Sequence, residues 1–318
     1  MRVLRQEKGM VLLLVLVVVA LLSALLTEWA FSTHVDMRLT ETFRDSTRAW
    51  YLGKGGVEAG RMILQNDTNA WDHPSELWGQ GIPGYPIGEN GSVFITIEDL
   101  DGKFNLNTLV SAGGNPNTVM IRRLYRLFDI LGLQSPGDLT AAVVDWIDEP
   151  GNVYDQIIFE DNSTLPVTGA EDPYYQGLDS PYPAANTSMI SIEELSMVRG
   201  FTPEVLAVVL PHLSVNGSAN LNLNTVSAEL LQAWDDGVST QAIDEILLAR
   251  ETAPFESTDD VKNILTLDDW TALNRNIDVR VYGEAFRITS LGRVGDGARQ
   301  VTAVVSGNGK DIYYMKVD

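Results

Sequence analysis

The side chains of this sequence that could do chemistry are concentrated in one acidic segment. Residues 127–198 contain thirteen acids and no Lys or Arg, and eight of the acids fall between Asp145 and Asp172. Crowded carboxylates repel each other unless something offsets their charge, and calcium, which takes about six to eight oxygen ligands, could do so. Calcium binding and a solvated acidic loop are therefore the two interpretations. The chain has no cysteine and only three widely spaced histidines, which disfavours a transition-metal site.

The overall charge of the chain also favours a cation as ligand. The 318-residue chain has 43 acidic and 22 basic residues, a formal net charge of −21 at pH 7. Such a surface repels the phosphates of nucleic acids, so we expect a cation and no nucleic acid. The sequence contains no nucleophile elbow, phosphate-binding loop or zinc-type histidine pair. We therefore expect a protein that is not an enzyme.

The amino terminus determines where this acidic chain resides. Met10–Leu26 is apolar except for Ser23. Its length of seventeen residues is the lower limit for a membrane-spanning helix. A basic head precedes it, formed by Arg2, Arg5 and Lys8. By the positive-inside rule the head stays in the cytoplasm, so we expect a single-pass membrane protein whose bulk is exported.

Three interpretations of this segment are open: a secretory signal peptide, a plain membrane anchor, and a prepilin leader that is cut before the apolar helix. For a signal peptide, 23–25 is a poor cleavage site. Lys8-Gly9-Met10 resembles the leader junction of type IV pilins and type II secretion pseudopilins. The resemblance implies cleavage between Gly9 and Met10 by a prepilin peptidase and methylation of the new amine.

Leu14 departs from the pattern of those families. Most pilins and pseudopilins have Glu at the fifth residue after the cut, where this chain has Leu14. In pilins that carboxylate is taken to pair with the amine of a neighbouring subunit, because an unpaired buried charge is costly. A subunit with no neighbour ahead of it gains nothing from the Glu. Leu14 therefore suits a subunit at the end of a fibre.

The apolar helix is expected to continue beyond the membrane. Val35, Leu39 and Phe43 keep helical spacing. Small residues then recur at steps of three and four: Ser46, Ala49, Gly53, Gly56 and Gly60. Because glycine inside a helix costs about 1 kcal/mol relative to alanine, this face predicts close packing against a sheet or another helix. The alternative is a helix that ends near Leu52.

The remaining patterns predict a sheet that is interrupted by helices. Residues 66–90 read as a loop. Strand-like runs occupy 93–98 and, near the carboxyl terminus, 278–282, 285–290, 300–305 and 312–317. Asp101-Gly102 predicts a short hairpin into the run 103–106. About 170 residues between the two sets read mostly as helices, at 118–131, 139–147, 192–198, 203–210, 227–234, 240–250 and 257–265.

These elements predict an α+β protein with a pilin-like plan, namely a long amino-terminal helix and an antiparallel sheet interrupted by a large inserted α-helical domain. Residues 1–9 would form the leader. The pilin-like domain would comprise 10–106 and 277–318, with 10–26 as its transmembrane helix. The inserted helical domain would comprise 107–276. The ends of an inserted domain must lie close together.

Several short strings, in this order, resemble the K-type minor pseudopilins of type II secretion systems over nearly the whole chain. They include 101–107, 144–148, 169–172, 194–200 and 222–230. The resemblance implies a structural tip subunit in the inner membrane, with its bulk in the periplasm, that starts a fibre for protein export across the outer membrane. Its partners would be the I- and J-type minor pseudopilins, the prepilin peptidase and the inner-membrane secretion platform.

The same resemblance implies bound calcium in the helical domain, which favours a cation over a solvated loop in the acidic segment. The candidate ligands are Asp148, Glu149, Asp155, Glu160, Asp161, Glu171 and Asp172.

A second resemblance supports an alternative function. Residues 221–264 are similar to helix-hairpin-helix modules of the competence type, which present backbone amides and bases to phosphate. The chain could then be a DNA-binding minor pilin of an uptake or type IV pilus system. The hairpin here reads Asp235-Asp236-Gly237, and residues 213–276 have eleven acids and three bases. We therefore expect the module to be shared without its DNA function.

Overall fold

The computed structural model describes residues 4–111, 113–149 and 151–318. Its α-helices are α1 Leu4–Gln65, α2 Leu77–Gln80, α3 Thr118–Ile130, α4 Pro136–Ile147, α5 Asp172–Gln176, α6 Pro203–Val209, α7 Ala228–Trp234, α8 Thr240–Thr252, α9 Thr258–Ile264 and α10 Leu267–Leu273. Its strands are β1 Ile82–Ile87, β2 Gly91–Asp99, β3 Phe104–Asn105, β4 Gln156–Ile158, β5 Thr164–Pro166, β6 Leu213–Ser214, β7 Leu221–Asn222, β8 Val279–Arg280, β9 Ala285–Val294, β10 Gly297–Ser306 and β11 Ile312–Val317.

Helix α1 is a continuous helix of 62 residues, about 90 Å long at 1.5 Å per residue. Its apolar first half is exposed along Met10–Leu26, and it is long and apolar enough to cross a membrane. The helix passes Leu52 without a break. The expected continuation beyond the membrane is therefore confirmed.

The second half of α1 lies on a five-stranded antiparallel sheet of order β1-β2-β9-β10-β11. The small residues of α1 make this approach possible. A Cβ at Gly53 would lie 2.8 Å from Val301 Cγ2, and a Cβ at Gly60 would lie 2.8 Å from Ile288 Cγ2. Both distances are shorter than carbon atoms tolerate, so the face of small residues packs closely on the sheet, as the sequence predicts.

The helical domain between β2 and β9 has its own hydrophobic core. The sheet core gathers α1 side chains such as Val57 with strand residues such as Ile95, whereas the larger core surrounds α3, α4 and α7. Val279 and Val281 belong to this larger core, because β8 pairs in parallel with β7. These residues lie in the segment that the sequence analysis assigned to the pilin-like domain. The domain division itself stays a prediction.

The hairpin expected at Asp101-Gly102 is wrong. β3 pairs in parallel with β6 of the helical domain and not with β2. The turn after β2 instead contacts distant parts of the chain. The Asp101 carboxylate accepts hydrogen bonds from Ser218 N at 2.6 Å and from Ala285 N at 3.1 Å. Asp101 thus connects the segment that follows β2 to the start of β9, where the chain returns to the sheet.

Candidate functional site

Three carboxylates of the acidic segment come together at Asp145, Asp148 and Glu171, which we call the acidic triad. Asp145 lies in the last turn of α4, and Asp148 follows directly after its end. Residues three apart on a helix project from the same side, so both side chains reach one place. Glu171, which precedes α5, joins them from the other side of the acidic segment.

The geometry of the acidic triad suits a calcium-sized cation. One oxygen of each side chain lies within 4.8 Å of the others. Two oxygens bound to one calcium ion at about 2.3–2.6 Å can be as much as about 5 Å apart. Backbone amides orient two of the carboxylates, since Tyr154 N donates to Asp145 Oδ1 at 2.8 Å and Gly151 N donates to Glu171 Oε1 at 3.2 Å.

The carboxylates of the acidic triad are buried close together and have few hydrogen-bond donors among the described residues. Asp145 is fully buried and Glu171 is 5% exposed. Asp145 Oδ2 and Asp148 Oδ1 are buried and have no hydrogen-bond partner among the described residues. Burial, with repulsion from the neighbouring carboxylates, raises the pKa of Asp145 to about 7. Burial and Glu171 raise the pKa of Asp148 to about 6.

The chain around the acidic triad is shaped to keep these oxygens together. Gly169 lies so close to Asp145 Oδ2 that any Cβ there would overlap it. Arg199 donates to the Gly169 carbonyl at 2.9 Å, and its guanidinium lies over the Tyr174 ring at 5.1 Å from the centroid. Arg199 thereby holds the segment that carries Glu171, and Thr168 N of the same segment donates to Asp138 Oδ1 of α4 at 2.7 Å. Two orphaned oxygens and a third carboxylate within reach fit a hard cation that prefers oxygen ligands.

Two of the seven predicted ligands, Asp148 and Glu171, belong to the acidic triad. Two others are engaged elsewhere. Glu160 pairs with Arg122 at 2.9 Å and with Arg126 at 3.1 Å. Burial opposes ionisation of Glu160, but its own backbone amide and the two arginines together hold its pKa below the usual range. Asp161 Oδ1 accepts the amide of its neighbour Ser163 at 2.8 Å, which also lowers its pKa.

The other three predicted ligands lie outside the triad as described. Asp172 Oδ1 accepts the amide of Ala184 at 2.8 Å, and Glu149 and Asp155 are exposed. A ligand role for these residues stays a prediction. The residue that the sequence analysis did not select is Asp145. Its spacing of three from Asp148, near the end of a predicted helix, was the signal available in the sequence.

A second acidic group is formed by Asp67, Asp72 and Glu76. Its carboxylates already have donors. Glu76 Oε2 accepts from Trp78 Nε1 at 3.1 Å, and Asp72 Oδ2 accepts from Gly283 N at 2.8 Å. These bonds fix the loop after α1, so the group has a structural explanation.

The leader junction lies on the exposed part of α1. Gly9 has no atom within 4 Å of the place where a Cβ would be, and Met10 is 73% exposed. Leu14 is 63% exposed within an apolar surface that the remaining described chain leaves uncovered. Cleavage after Gly9 and methylation of Met10 stay predictions, and Met1–Val3 lie outside the described residues.

In the segment that resembles helix-hairpin-helix modules, carboxylates of the protein itself bind the hairpin amides. Asp235 Oδ1 accepts from Gly237 N at 2.9 Å. Asp269 Oδ1 accepts from Ser239 N, at the start of α8, at 2.8 Å. Two amides that could otherwise face a phosphate are therefore already paired with negative groups.

A long apolar helix that lies along an antiparallel sheet, with a helical domain inserted between β2 and β9, defines a pilin-like protein with a helix able to cross a membrane. Residues 102–218 and 221–280 match two models described as type II secretion system protein K. Together the two models span more than half of the chain. The chain belongs to the protein K family of type II secretion systems, the K-type minor pseudopilins.

Individual relatives agree with this assignment. Type II secretion system protein K of Pseudomonas aeruginosa is 28% identical over 321 residues, covering 96% of this chain and 90% of that protein. The protein of the same description from Aeromonas hydrophila is 26% identical over 268 residues, covering 77% of this chain and 76% of that protein.

A solved structure shares the fold. It is the crystal structure of the GspK–GspI–GspJ complex from the type 2 secretion system of enterotoxigenic Escherichia coli. One of its chains superposes with a TM-score of 0.67 at 18% identity, covering 90% of this chain and 99% of that chain. The pilin-like fold with an inserted helical domain is therefore common to both.

Proposed function

We propose that this chain is the tip subunit of the type II secretion pseudopilus and that it starts fibre assembly with the I- and J-type minor pseudopilins. The observation that carries the proposal is Leu14, at the position where fibre-body subunits have Glu. A leucine there needs no partner subunit ahead of it, whereas a carboxylate in an apolar fibre core would. The role is mechanical and requires no catalytic group.

The proposal places the chain in the inner membrane with its bulk in the periplasm. The basic head Arg2–Lys8 stays in the cytoplasm by the positive-inside rule. A prepilin peptidase cuts after Gly9 and methylates Met10, which frees the helix from its basic head. The helix can then leave the membrane with the growing fibre, driven by the secretion platform, towards the outer-membrane channel.

The surface of α1 supports packing against other helices. Beyond the apolar run, Phe31, Val35, Leu39 and Phe43 follow one another at steps of four and are all exposed. Residues four apart lie on one side of a helix, so these side chains form a stripe that a neighbouring helix could cover. The complex of the solved relative, which contains GspI and GspJ, supports I- and J-type partners for this chain.

The proposal also includes calcium in the helical domain, bound by the acidic triad. Calcium would supply positive charge to Asp145 Oδ2 and Asp148 Oδ1, which have no hydrogen-bond donor in the described part of the chain, and would hold Glu171 against α4. The residues 149–170 would then be fixed at both ends. The inserted domain at the fibre tip would depend on the ion for its stability.

The test is co-expression of the full chain with the I- and J-type pseudopilins and the prepilin peptidase of one secretion system. We expect the three proteins to co-purify in detergent and mass spectrometry to place the mature amino terminus at Met10. The variant Gly9→Leu should remain full-length. A mature terminus near Ala24, or a cleaved chain that does not bind either partner, would contradict the proposal.

The alternative is a DNA-binding minor pilin. It rests on the helix-hairpin-helix likeness alone, and the amides of that hairpin are occupied by Asp235 and Asp269. A gel-shift experiment with duplex DNA at low salt separates the two functions, because phosphate binding is strongest there. The tip-subunit proposal expects no shift.

A further inference from the structure

The two domains meet at a junction built around Asp99, the last residue of β2. The chain leaves the sheet here and returns to it through 281–285. Asp99 is 4% exposed, although it borders a cavity of about 280 Å³ that Thr225 and Trp78 also line. A second cavity of about 220 Å³ lies between the outer face of the sheet and residues 190–193. The contact between the domains is therefore bordered by two cavities, and the ion pair of Lys316 with Glu193 at 3.3 Å crosses beside the second one.

Asp99 is held by donors from both sides of the junction. Its Oδ1 accepts from Asp101 N at 2.9 Å. Its Oδ2 accepts from Asn222 Nδ2 at 2.7 Å and from Thr225 Oγ1 at 2.6 Å. Asn222 and Thr225 belong to the helical domain. A proton on Oδ2 could be donated to Thr225 Oγ1, since a hydroxyl oxygen both donates and accepts.

No cation neutralises this carboxylate in the described residues. The nearby basic side chains bind elsewhere: Lys103 pairs with Glu98 at 2.7 Å, Arg280 pairs with Glu284, and Arg250 donates to the carbonyls of Leu223 and Val226. His73, on the loop after α1, has a pKa lowered by burial. The other groups around the junction are acids, namely Asp67, Asp72, Glu76 and Asp101.

We propose that Asp99 is a proton-dependent latch, and that uptake of one proton by its carboxyl group favours the closed contact between the helical domain and the sheet. Closing the contact covers Asp99 with Asn222, Thr225 and Gly283, next to the Asp101 carboxylate. The three donors offset only part of the cost of burying an ionised carboxylate beside Asp101, and a neutral carboxyl group does not have this cost. The latch does not depend on the proposed role in secretion.

The sign of the effect follows from linkage. Burial, with repulsion from Asp101, raises the pKa of Asp99 to about 7, from 3.8 for an exposed Asp. Between pH 3.8 and about pH 7, the carboxyl group of Asp99 therefore carries a proton in the closed state. In an open state, where Asp99 is hydrated, the same group is ionised over this range. Closure becomes less favourable as the pH rises through this window, by up to about tenfold per pH unit, and levels off above pH 7.

Hydrogen exchange on the full chain in detergent, with calcium held constant, measures this opening. Ser218 N and Asn222 N donate to Asp101 across the junction, so a peptide covering 217–225 reports on it. After correction for intrinsic exchange, we expect its protection to fall about fivefold between pH 6 and pH 7. A peptide from β9 serves as the internal reference and should change much less.

Variants assign the effect to Asp99. In Asp99→Asn the protection of 217–225 should depend on pH much less than in the unchanged chain, with a smaller dependence left by Asp72, whose pKa burial also raises to about 7. In the exposed control Asp296→Asn the dependence should remain. Should the amide of Asp99→Asn clash with Asn222 and prevent folding, Asp99→Ser also removes the titrating group. Equal protection at pH 6 and pH 8 in the unchanged chain, an equal change in the β9 peptide, or an undiminished pH dependence in the Asp99 variants would each overturn the latch.

Discussion

Asp145 is the residue on which the candidate calcium site depends most, because its carboxylate is fully buried and one of its oxygens lacks a donor. A buried charge without a partner is strongly unfavourable. Either a proton or a cation must therefore be present when the domain is folded. Its neighbour Asp148 is in the same situation to a lesser degree, since it is only half-buried.

We predict that Asp145→Asn removes most of the calcium stabilisation of the full chain. A ligand that binds only the folded state stabilises it by about 2.7 kcal/mol at a hundredfold excess over Kd. Thermal unfolding in detergent should show a higher Tm in calcium than in chelator for the unchanged chain, and almost no difference for the variant. Glu171→Gln should reduce the difference for the same reason, and magnesium should substitute poorly because it demands a tighter shell.

The matched control is Asp161→Asn, which changes an exposed carboxylate of the same acidic segment. It should keep the full difference in Tm between calcium and chelator. An equal loss in the control and in Asp145→Asn would mean that the segment binds cations only diffusely. Identical melting of the unchanged chain in both buffers, with no metal by elemental analysis, would leave the segment as a solvated acidic loop.

The pH dependence of the calcium effect is a second prediction for the acidic triad. Without calcium the folded chain holds protons on Asp145, with a pKa of about 7, and Asp148, with a pKa of about 6, which the unfolded chain releases near 3.8. Their contribution to the stability of the calcium-free chain therefore falls as the pH rises through 6 and 7. Calcium must displace these protons. The calcium-induced increase in Tm should grow from pH 5.5 to pH 7.5, and a constant increase would contradict the site.

Two adjacent glycines of α1, Gly55 and Gly56, differ sharply in the space available for a side chain. A Cβ at Gly56 would lie 2.7 Å from Val93 Cγ2 and would also collide with the side chain of Ser290. A Cβ at Gly55 would meet nothing within 4 Å. One of the two adjacent glycines is therefore required by packing, and the other is not.

We predict opposite effects of alanine at these two positions. Gly55→Ala should increase the free energy of unfolding by up to about 1 kcal/mol, because alanine is the better helix former. Gly56→Ala should lower it by about 1–3 kcal/mol, because the added methyl overpacks the contact with the sheet. Urea denaturation of the full chain in detergent measures both. Equal effects of the two variants would show that α1 does not pack on the sheet through this face.

Patterns within one element predicted α1 and most of the helices, because helical periodicity is a local property of the sequence. The strand β1 was missed, since Pro83 and Pro86 make 66–90 read as a loop, yet an edge strand tolerates proline. The hairpin at Asp101-Gly102 was wrong for a different reason. The local turn signal could not reveal that Asp101 binds amides more than 100 residues away in sequence, at Ser218 and Ala285.

For the whole molecule, the order of elements predicted a helical domain inserted into a sheet domain, but not how the two share residues. Val279 and Val281 lie beyond the predicted boundary and still complete the helical core. The pattern of a single segment does not predict which distant strand it pairs with, as in the pairing of β7 with β8. For the same reason the sequence located the acidic segment but not the three carboxylates that meet.

The position of the whole molecule in a fibre gives the last prediction. If the chain occupies the tip, Leu14→Glu places a carboxylate where no subunit ahead can pair with it, at a cost in the apolar helix contact. We expect this variant to assemble no better than the unchanged chain with the I- and J-type pseudopilins, measured as the amount of co-purified complex. Leu14→Met, which keeps an apolar side chain of similar volume, is the control and should assemble normally. More complex or longer fibres with Leu14→Glu than with the unchanged chain would mean that position 14 faces the amine of a preceding subunit, and that the chain belongs in the body of the fibre.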